Sequence, residues 1–195
     1  MSAVMDVKGR ELRGPSFLSA PFSDTRFTVL WLVIRLFVGY QWLNAGLHKL
    51  ESAAWMGDGT ALAGYWTKAV ATQPTAPITY DWYRGFLQML LDGGHYAWFA
   101  KLIVFGEMAV GIALILGAFV GVAAFFGAFM NLNFMLAGSL STNPGLFVLA
   151  IFLVAAWKIA GYLGADFFIL RYAGAIWQPQ RTPTINLKAD QPSAS

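Results

Sequence analysis

Four apolar stretches, near residues 27–48, 98–118, 119–138 and 146–166, constrain this 195-residue chain more tightly than any other feature. Each holds roughly 20 residues, enough to cross about 30 Å of hydrocarbon as an α-helix. Hydrophobic residues make up 57% of the chain and charged ones only 12%, whereas about a quarter of an ordinary soluble domain is charged. The mean hydropathy is +0.56. The expected fold is therefore all-α, an integral membrane four-helix bundle.

The second and third stretches meet at Gly117-Ala118-Phe119-Val120-Gly121 with no charge between them, which predicts a tight hairpin. Asn143-Pro144-Gly145 predicts a turn before the fourth. An even number of crossings puts both termini on one side. Lys8, Arg10, Arg13, Arg26, Arg171, Arg181 and Lys188 lie in the tails, and the long first loop holds Lys49, Lys68 and Arg84. The positive-inside rule then places both termini in the cytoplasm of a multi-pass plasma-membrane protein. The net charge of +3 sits mainly in those tails and implies membrane topology rather than a nucleic-acid partner. The N-terminus lacks the charged start, short apolar run and cleavage site of a signal peptide.

The chain divides into a cytoplasmic N-terminal segment (1–26), a membrane domain (27–174) and a flexible cytoplasmic tail (175–195). The first extracytoplasmic loop, 49–97, is an outer cap carrying short interfacial helices. Asp58-Gly59 predicts the start of one, running to about Ala71, with Pro74 and Pro77 breaking the chain after it. Tyr80 to Leu91 predicts a second, amphipathic one, stopped by Gly93-Gly94. Trp55, Tyr65, Trp66, Tyr80, Trp82, Tyr83, Tyr96 and Trp98 crowd this region. Such rings settle at the membrane–water boundary, either as anchors or as a lid over a binding site.

Polar groups inside the apolar stretches are the candidates for function, because charge in hydrocarbon is expensive unless paired. Arg35, Gly39, Trp42, Gly46 and Lys49 follow spacings of 4, 3, 4 and 3 and line one face of the first helix. Glu107 sits mid-span in the second, Asn131 and Asn133 in the third, Trp157 and Lys158 in the fourth. Counted from the cytoplasmic ends, Arg35 and Lys158 lie about 12 Å deep, Glu107 near 17 Å and Asn131 near 18 Å. Long cationic side chains bridge that difference, so one layer can hold all four. Two cations against one carboxylate leave net positive charge, suited to an anion or to a reduced, anionic quinone headgroup. The candidate catalytic residues are Arg35, Glu107 and Lys158; Gly39, Trp42, Asn131, Asn133 and Trp157 are candidates for binding quinone or substrate. The structural alternative is an Arg35–Glu107 pair that sets helix register, a snorkelling Lys158, and asparagines that bond between helices.

The chain has no cysteine and only two histidines, His48 and His95, without metal or haem spacing, so no bound metal or haem is expected. No glycine-rich dinucleotide loop or serine nucleophile motif is present.

The pattern Arg35-x3-Gly39-x6-Gly46-x2-Lys49-Leu50 resembles the signature of the DoxX/DoxD membrane proteins. So do the second-span run from Gly106-Glu107-Met108 to Gly117 and the run from Asn131-x-Asn133-Phe134 through Ser141-Thr142-Asn143-Pro144. The resemblance covers about residues 29–174. It implies a four-helix membrane bundle and a role in sulfur redox chemistry, as the membrane subunit of a thiosulfate:quinone oxidoreductase. Thiosulfate oxidation would then be coupled to reduction of a quinone, the electron acceptor. The partners so implied are the lipid bilayer, quinone, and a partner protein subunit or a second copy of the chain. The alternatives are a non-catalytic structural subunit of a respiratory or photosynthetic membrane complex and, furthest from the pattern, a small anion transporter.

Overall fold

The first and second apolar stretches each become one long uninterrupted helix. In the computed structural model, residues 16–72 and 77–172 are described. The first 15 residues, Pro74 and the expected tail at 175–195 lie outside the described residues. In chain order the helices are α1 (Ser16–Ser23), α2 (Thr28–Leu50), α3 (Ala53–Met56), α4 (Thr60–Val70), α5 (Asp81–Asp92), α6 (Tyr96–Leu116), α7 (Val120–Leu136), α8 (Asn143–Ala155), α9 (Trp157–Ala160) and α10 (Ala165–Tyr172). Every regular element among the described residues is helical. With the short 3-10 turn at Thr25–Phe27 that precedes it, α2 is long and apolar enough to cross a membrane, and so is α6; α7 and α8 are shorter apolar helices.

Four helices, α2, α6, α7 and α8, pack side by side in that order and close into a ring. Two sides of the ring are tight, α2 on α6 and α7 on α8, and the other two are looser. Glycine makes the first tight side. A Cβ added to Gly111 of α6 would fall 2.5 Å from the Leu43 nitrogen and 2.8 Å from the Leu43 Cα. The α2 backbone therefore occupies the space a side chain would need, the close approach that small residues permit between apolar helices. Gly111→Ala is expected to force the helices apart and cost about 1–3 kcal/mol, read as a lower Tm of the purified protein. An unchanged Tm would mean that the pair shifts without cost. The main core, with Trp31, Val38, Trp42, Val110, Leu114, Val120, Ala124 and Leu153, fills the ring.

The hairpin expected between the second and third stretches is present. Gly117 ends α6 in the left-handed region (φ 68°), with Ala118 N donating to Ala113 O at 2.9 Å, the glycine-terminated pattern that satisfies the last carbonyls. The cap also follows expectation, with α4 and α5 near the predicted helices. Thr60 N donates to Asp58 Oδ1 at 3.1 Å where α4 begins, and that bond holds the Asp58 carboxyl below its usual range. Beneath the cap a second core gathers Leu62, Trp66, Tyr83, Leu87 and Ala100. The one-turn α3 and the helix α1 in the N-terminal segment have no counterpart in the sequence reading. Trp31 Nε1, on α2, donates to the Pro21 carbonyl of α1 at 2.6 Å.

The fourth stretch differs from expectation. A continuous helix over 146–166 does not form: α8 stops at Ala155, α9 adds one turn, and a turn at 161–164 leads into α10. The physical reason lies opposite, on α2. Arg35 is buried there, and its guanidinium needs acceptors. An unbroken helix would keep its carbonyls for itself, whereas the helix end frees those of Ala160 and Leu163. Gly164 lets the chain pass close enough, since a Cβ there would overlap the Arg35 guanidinium.

Candidate functional site

Glu107 is paired, but with Lys49 and not with Arg35. Lys49 Nζ donates to Glu107 Oε1 at 2.7 Å and Oε2 at 2.6 Å. The carboxylate side chain is 1% exposed and the lysine side chain 22%. Side-chain direction accounts for the choice. The Cα–Cβ bond tilts toward the N-terminus of its own helix. Because α2 and α6 run antiparallel, Lys49 leans down α2 while Glu107 leans up α6, and the two converge. Arg35 leans the same way as Lys49 but sits 14 residues, about 21 Å, nearer the α2 N-terminus, so its lean carries it away from Glu107. The proposed single layer of Arg35, Glu107, Asn131 and Lys158 is therefore corrected: Glu107 and Asn131 share one cavity, whereas Arg35 and Lys158 lie apart from it.

The ion pair forms one wall of a cavity of about 400 Å³ at the cap end of the ring. Trp42, Asn44 and Lys49 come from α2, Glu107 from α6, Asn131 and Phe134 from α7, and Asn143 from α8. The cap contributes Trp55 and Tyr65, so it roofs the cavity. Lys49 Nζ lies 5.3 Å from the centroid of the Trp55 ring, and Tyr65 donates its hydroxyl hydrogen to Phe134 O at 3.4 Å. The cap aromatics divide into two sets. Tyr80, Trp82 and Trp98 are exposed on the outside, whereas Trp55 and Tyr65 cover the cavity.

Two cavity side chains carry polar atoms without a partner among the described residues. Asn131 is completely buried, and neither its Oδ1 nor its Nδ2 is hydrogen-bonded; Trp42 Nε1 is likewise unpaired. An orphaned buried donor or acceptor costs about 1–3 kcal/mol. The cavity is walled by both residues, although these three atoms have no surface open to it as the side chains stand. It holds one positive and one negative side chain. The expected net positive charge is absent, because the cations thought to supply it lie elsewhere.

Arg35 belongs to the far end of the ring. Its Nη1 donates to Ala160 O at 3.3 Å and its Nη2 to Leu163 O at 3.1 Å. Asp166, which is 2% exposed, lies close enough to act on the guanidinium electrostatically. The Asp166 carboxylate accepts from Phe119 N at 2.6 Å and Val120 N at 2.9 Å, capping α7, while its own N–H donates to Gly117 O at 2.7 Å. An acid at a helix N-terminus satisfies orphan donors and opposes the helix dipole. It also secures Phe119, held at φ 50°, a strained conformation for an aromatic residue. This knot ties α2, the 117–119 turn and the start of α10 together.

The remaining candidates are scattered. Lys158 stacks on its neighbour, with Nζ 5.6 Å from the Trp157 ring centroid, and Trp157 lines an apolar groove with Phe119 and Asp166 at the Arg35 end. Gly39 is a helix contact, where a Cβ would fall 2.9 Å from Ile115 Cγ1. Asn133 ties α7 to the cap: its Nδ2 donates to Phe129 O at 2.8 Å, and Tyr83 donates to its backbone oxygen at 3.0 Å. Burial pushes the Tyr83 hydroxyl up to about 12, which keeps it a neutral donor.

Trp42, Glu107 and Asn131 are thus the only candidates the structure brings to the cavity among the described residues. Lys49 and Asp166 were overlooked. The signal for Lys49 was available: Arg35, Trp42 and Lys49 recur every seven residues and share a stripe of α2. Asp166 had no such signal, because its role depends on a turn 47 residues away. Comparison of the chain with protein-family models, with curated proteins and with solved structures returns no significant match.

Proposed function

We propose that this is a four-crossing, DoxX-like plasma-membrane protein with cytoplasmic termini, and that the cavity binds the headgroup of a quinone. It would act as the membrane subunit of a quinone-linked sulfur oxidoreductase. The observation that carries the reading is the unpartnered Asn131 amide and Trp42 indole N–H beside a charge-balanced ion pair. The membrane setting is supported by an inside-out surface. Val33 is 60% exposed, Phe105 54%, Phe125 56% and Val148 50%, while Arg35, Glu107, Asn131 and Asp166 are buried. Exposed apolar faces around a polar interior are what hydrocarbon demands. The fourth crossing would be α8 and α9 together, residues 143–160, about 27 Å at 1.5 Å per residue.

The residues fit a quinone ring. Once the two side chains turn toward it, its two carbonyl oxygens would accept from the Trp42 and Asn131 N–H groups, and the Asn131 oxygen would accept from the hydroxyl of the reduced form. When bound, the quinone would take up two electrons and two protons, the electrons coming from two thiosulfates that join through a new sulfur–sulfur bond. Glu107, held at both oxygens by Lys49, is placed to pass a proton into the cavity, and Lys49 keeps the pair in touch with the outer surface. The balanced charge suits a neutral guest better than a dianion. The donor half of the reaction is therefore assigned to a site that a partner subunit completes.

Purified protein, alone and with co-purifying proteins, should reduce a soluble quinone analogue with thiosulfate only when the partner is present. Thiosulfate flux into liposomes without quinone would instead favour a transporter. No quinone binding by the folded protein would leave a structural role. Asn131→Leu should keep or raise the Tm, since it removes about 1–3 kcal/mol of unpaired polar burial. It should weaken quinone-analogue binding by about tenfold, or 1.4 kcal/mol. Unchanged binding would remove the asparagine from the site.

A further inference from the structure

The cavity opens sideways. Gln41, Thr142 and Leu146 line both the cavity and a groove that runs between α2 and α8. Beyond those three residues the groove turns apolar, with Phe37, Val148 and Leu149; Phe37 is 49% exposed and Val148 50%. This is one of the two loose sides of the ring. The other loose side, between α6 and α7, also carries an apolar groove, but that groove shares no lining residue with the cavity. Toward the cap the way is covered by Trp55 and Tyr65. The polar cavity and the apolar groove thus form one continuous site, polar at the cap end and apolar toward mid-helix.

We infer that the ligand is an amphiphile that enters from the bilayer between α2 and α8. Its uncharged, hydrogen-bonding ring occupies the cavity, and its hydrocarbon tail lies in the groove against Phe37 and Leu149. The inference rests on the reading of the cavity given above and adds the place of the tail and the route of entry. The tail exchanges lipid contacts for groove contacts, so what it adds to affinity comes from close packing against Phe37 and Leu149 and not from leaving water. The balanced Lys49–Glu107 pair disfavours a charged lipid headgroup in the same place.

Gly145 lines the groove, and a Cβ added there meets nothing within 4 Å. Gly145→Phe therefore sets a ring at the groove from an unobstructed Cβ, with Gly145→Ala as the control and Val148→Phe as a second filling variant. The probes are 2,3-dimethoxy-5-methyl-1,4-benzoquinone with a decyl tail and the same ring without one. Both are titrated calorimetrically into the full chain in lipid nanodiscs, with empty nanodiscs subtracted. With each affinity referred to the probe's concentration in the lipid phase, the wild type should bind the tailed compound about tenfold more tightly. Gly145→Phe and Val148→Phe should abolish that advantage and leave the bare ring's affinity unchanged, while Gly145→Ala behaves as wild type. A tail advantage that survives both filling variants overturns the inference, as does equal weakening of both compounds. If the tailed compound alone loses its advantage in no variant yet both rings bind, the cavity reading stands and the groove is wrong. If neither compound binds the wild type, the cavity reading fails and the inference falls with it.

Discussion

Arg35→Met is expected to lose most of the folded protein, at a cost of about 3–5 kcal/mol. Arg35 is 2% exposed, and its guanidinium cannot shed its charge. It is kept by the Ala160 and Leu163 carbonyls and by the nearby Asp166 carboxylate. Removing it orphans both carbonyls and leaves Asp166 buried with only the Phe119 and Val120 amides. The α7 cap and the 161–164 turn should loosen together. Arg35→Lys keeps a charge, but a single ammonium cannot fork to two carbonyls set by a planar guanidinium, so it should recover only part of the loss. Thermal unfolding and size-exclusion profiles of the solubilised variants measure this. The contrary result is a variant that keeps the wild-type Tm and loses only quinone turnover. That outcome would return Arg35 to the chemistry and sink its structural assignment.

The second large effect is expected at the cavity. Lys49→Met leaves the Glu107 carboxylate, 1% exposed, without its counterion, which costs about 3–5 kcal/mol. Glu107→Leu alone leaves the better-exposed Lys49 free to turn outward and should cost less. The double variant replaces a buried pair by apolar groups and should regain most of the stability, since such replacements are often neutral. A double-mutant cycle on the Tm-derived free energies tests the coupling. Additive effects would show that the 2.6 Å contact contributes little. Activity should separate from stability: the double variant is expected to fold and still fail to reduce a quinone analogue, because no group remains to carry a proton into the cavity.

Much of the architecture follows from properties that are local along the chain. Apolar stretches of helical length predict α2, α6 and α7 to within a few residues, and Gly117 predicts the first reversal. Asn143-Pro144-Gly145, expected as a turn, instead opens α8, because proline is well suited to the first turn of a helix, and the chain reverses before it at 137–142. The short helices of the cap follow from Asp58-Gly59, Gly93-Gly94 and amphipathic spacing. In each case the deciding interactions lie within a turn or two of the residue concerned. That Arg35, Glu107 and Asn131 would face inward is equally legible, because an exposed charge or amide on an apolar helix has nowhere else to go.

Which of those groups meet is another matter. Depth counted along the chain places Arg35 and Glu107 within reach, yet the tilt of side chains on antiparallel helices sends Glu107 to Lys49. The end of the helix at 160–164 cannot be read from an apolar run either, since it depends on a guanidinium 125 residues earlier that needs the freed Ala160 and Leu163 carbonyls. The same holds for Asp166, whose acceptors are backbone amides of a distant hairpin. Local periodicity sets the helices and their polar faces. The pairing of buried charges, and with it the difference between a positive layer and a neutral cavity, is settled only when helix register and the freed backbone groups come together in space.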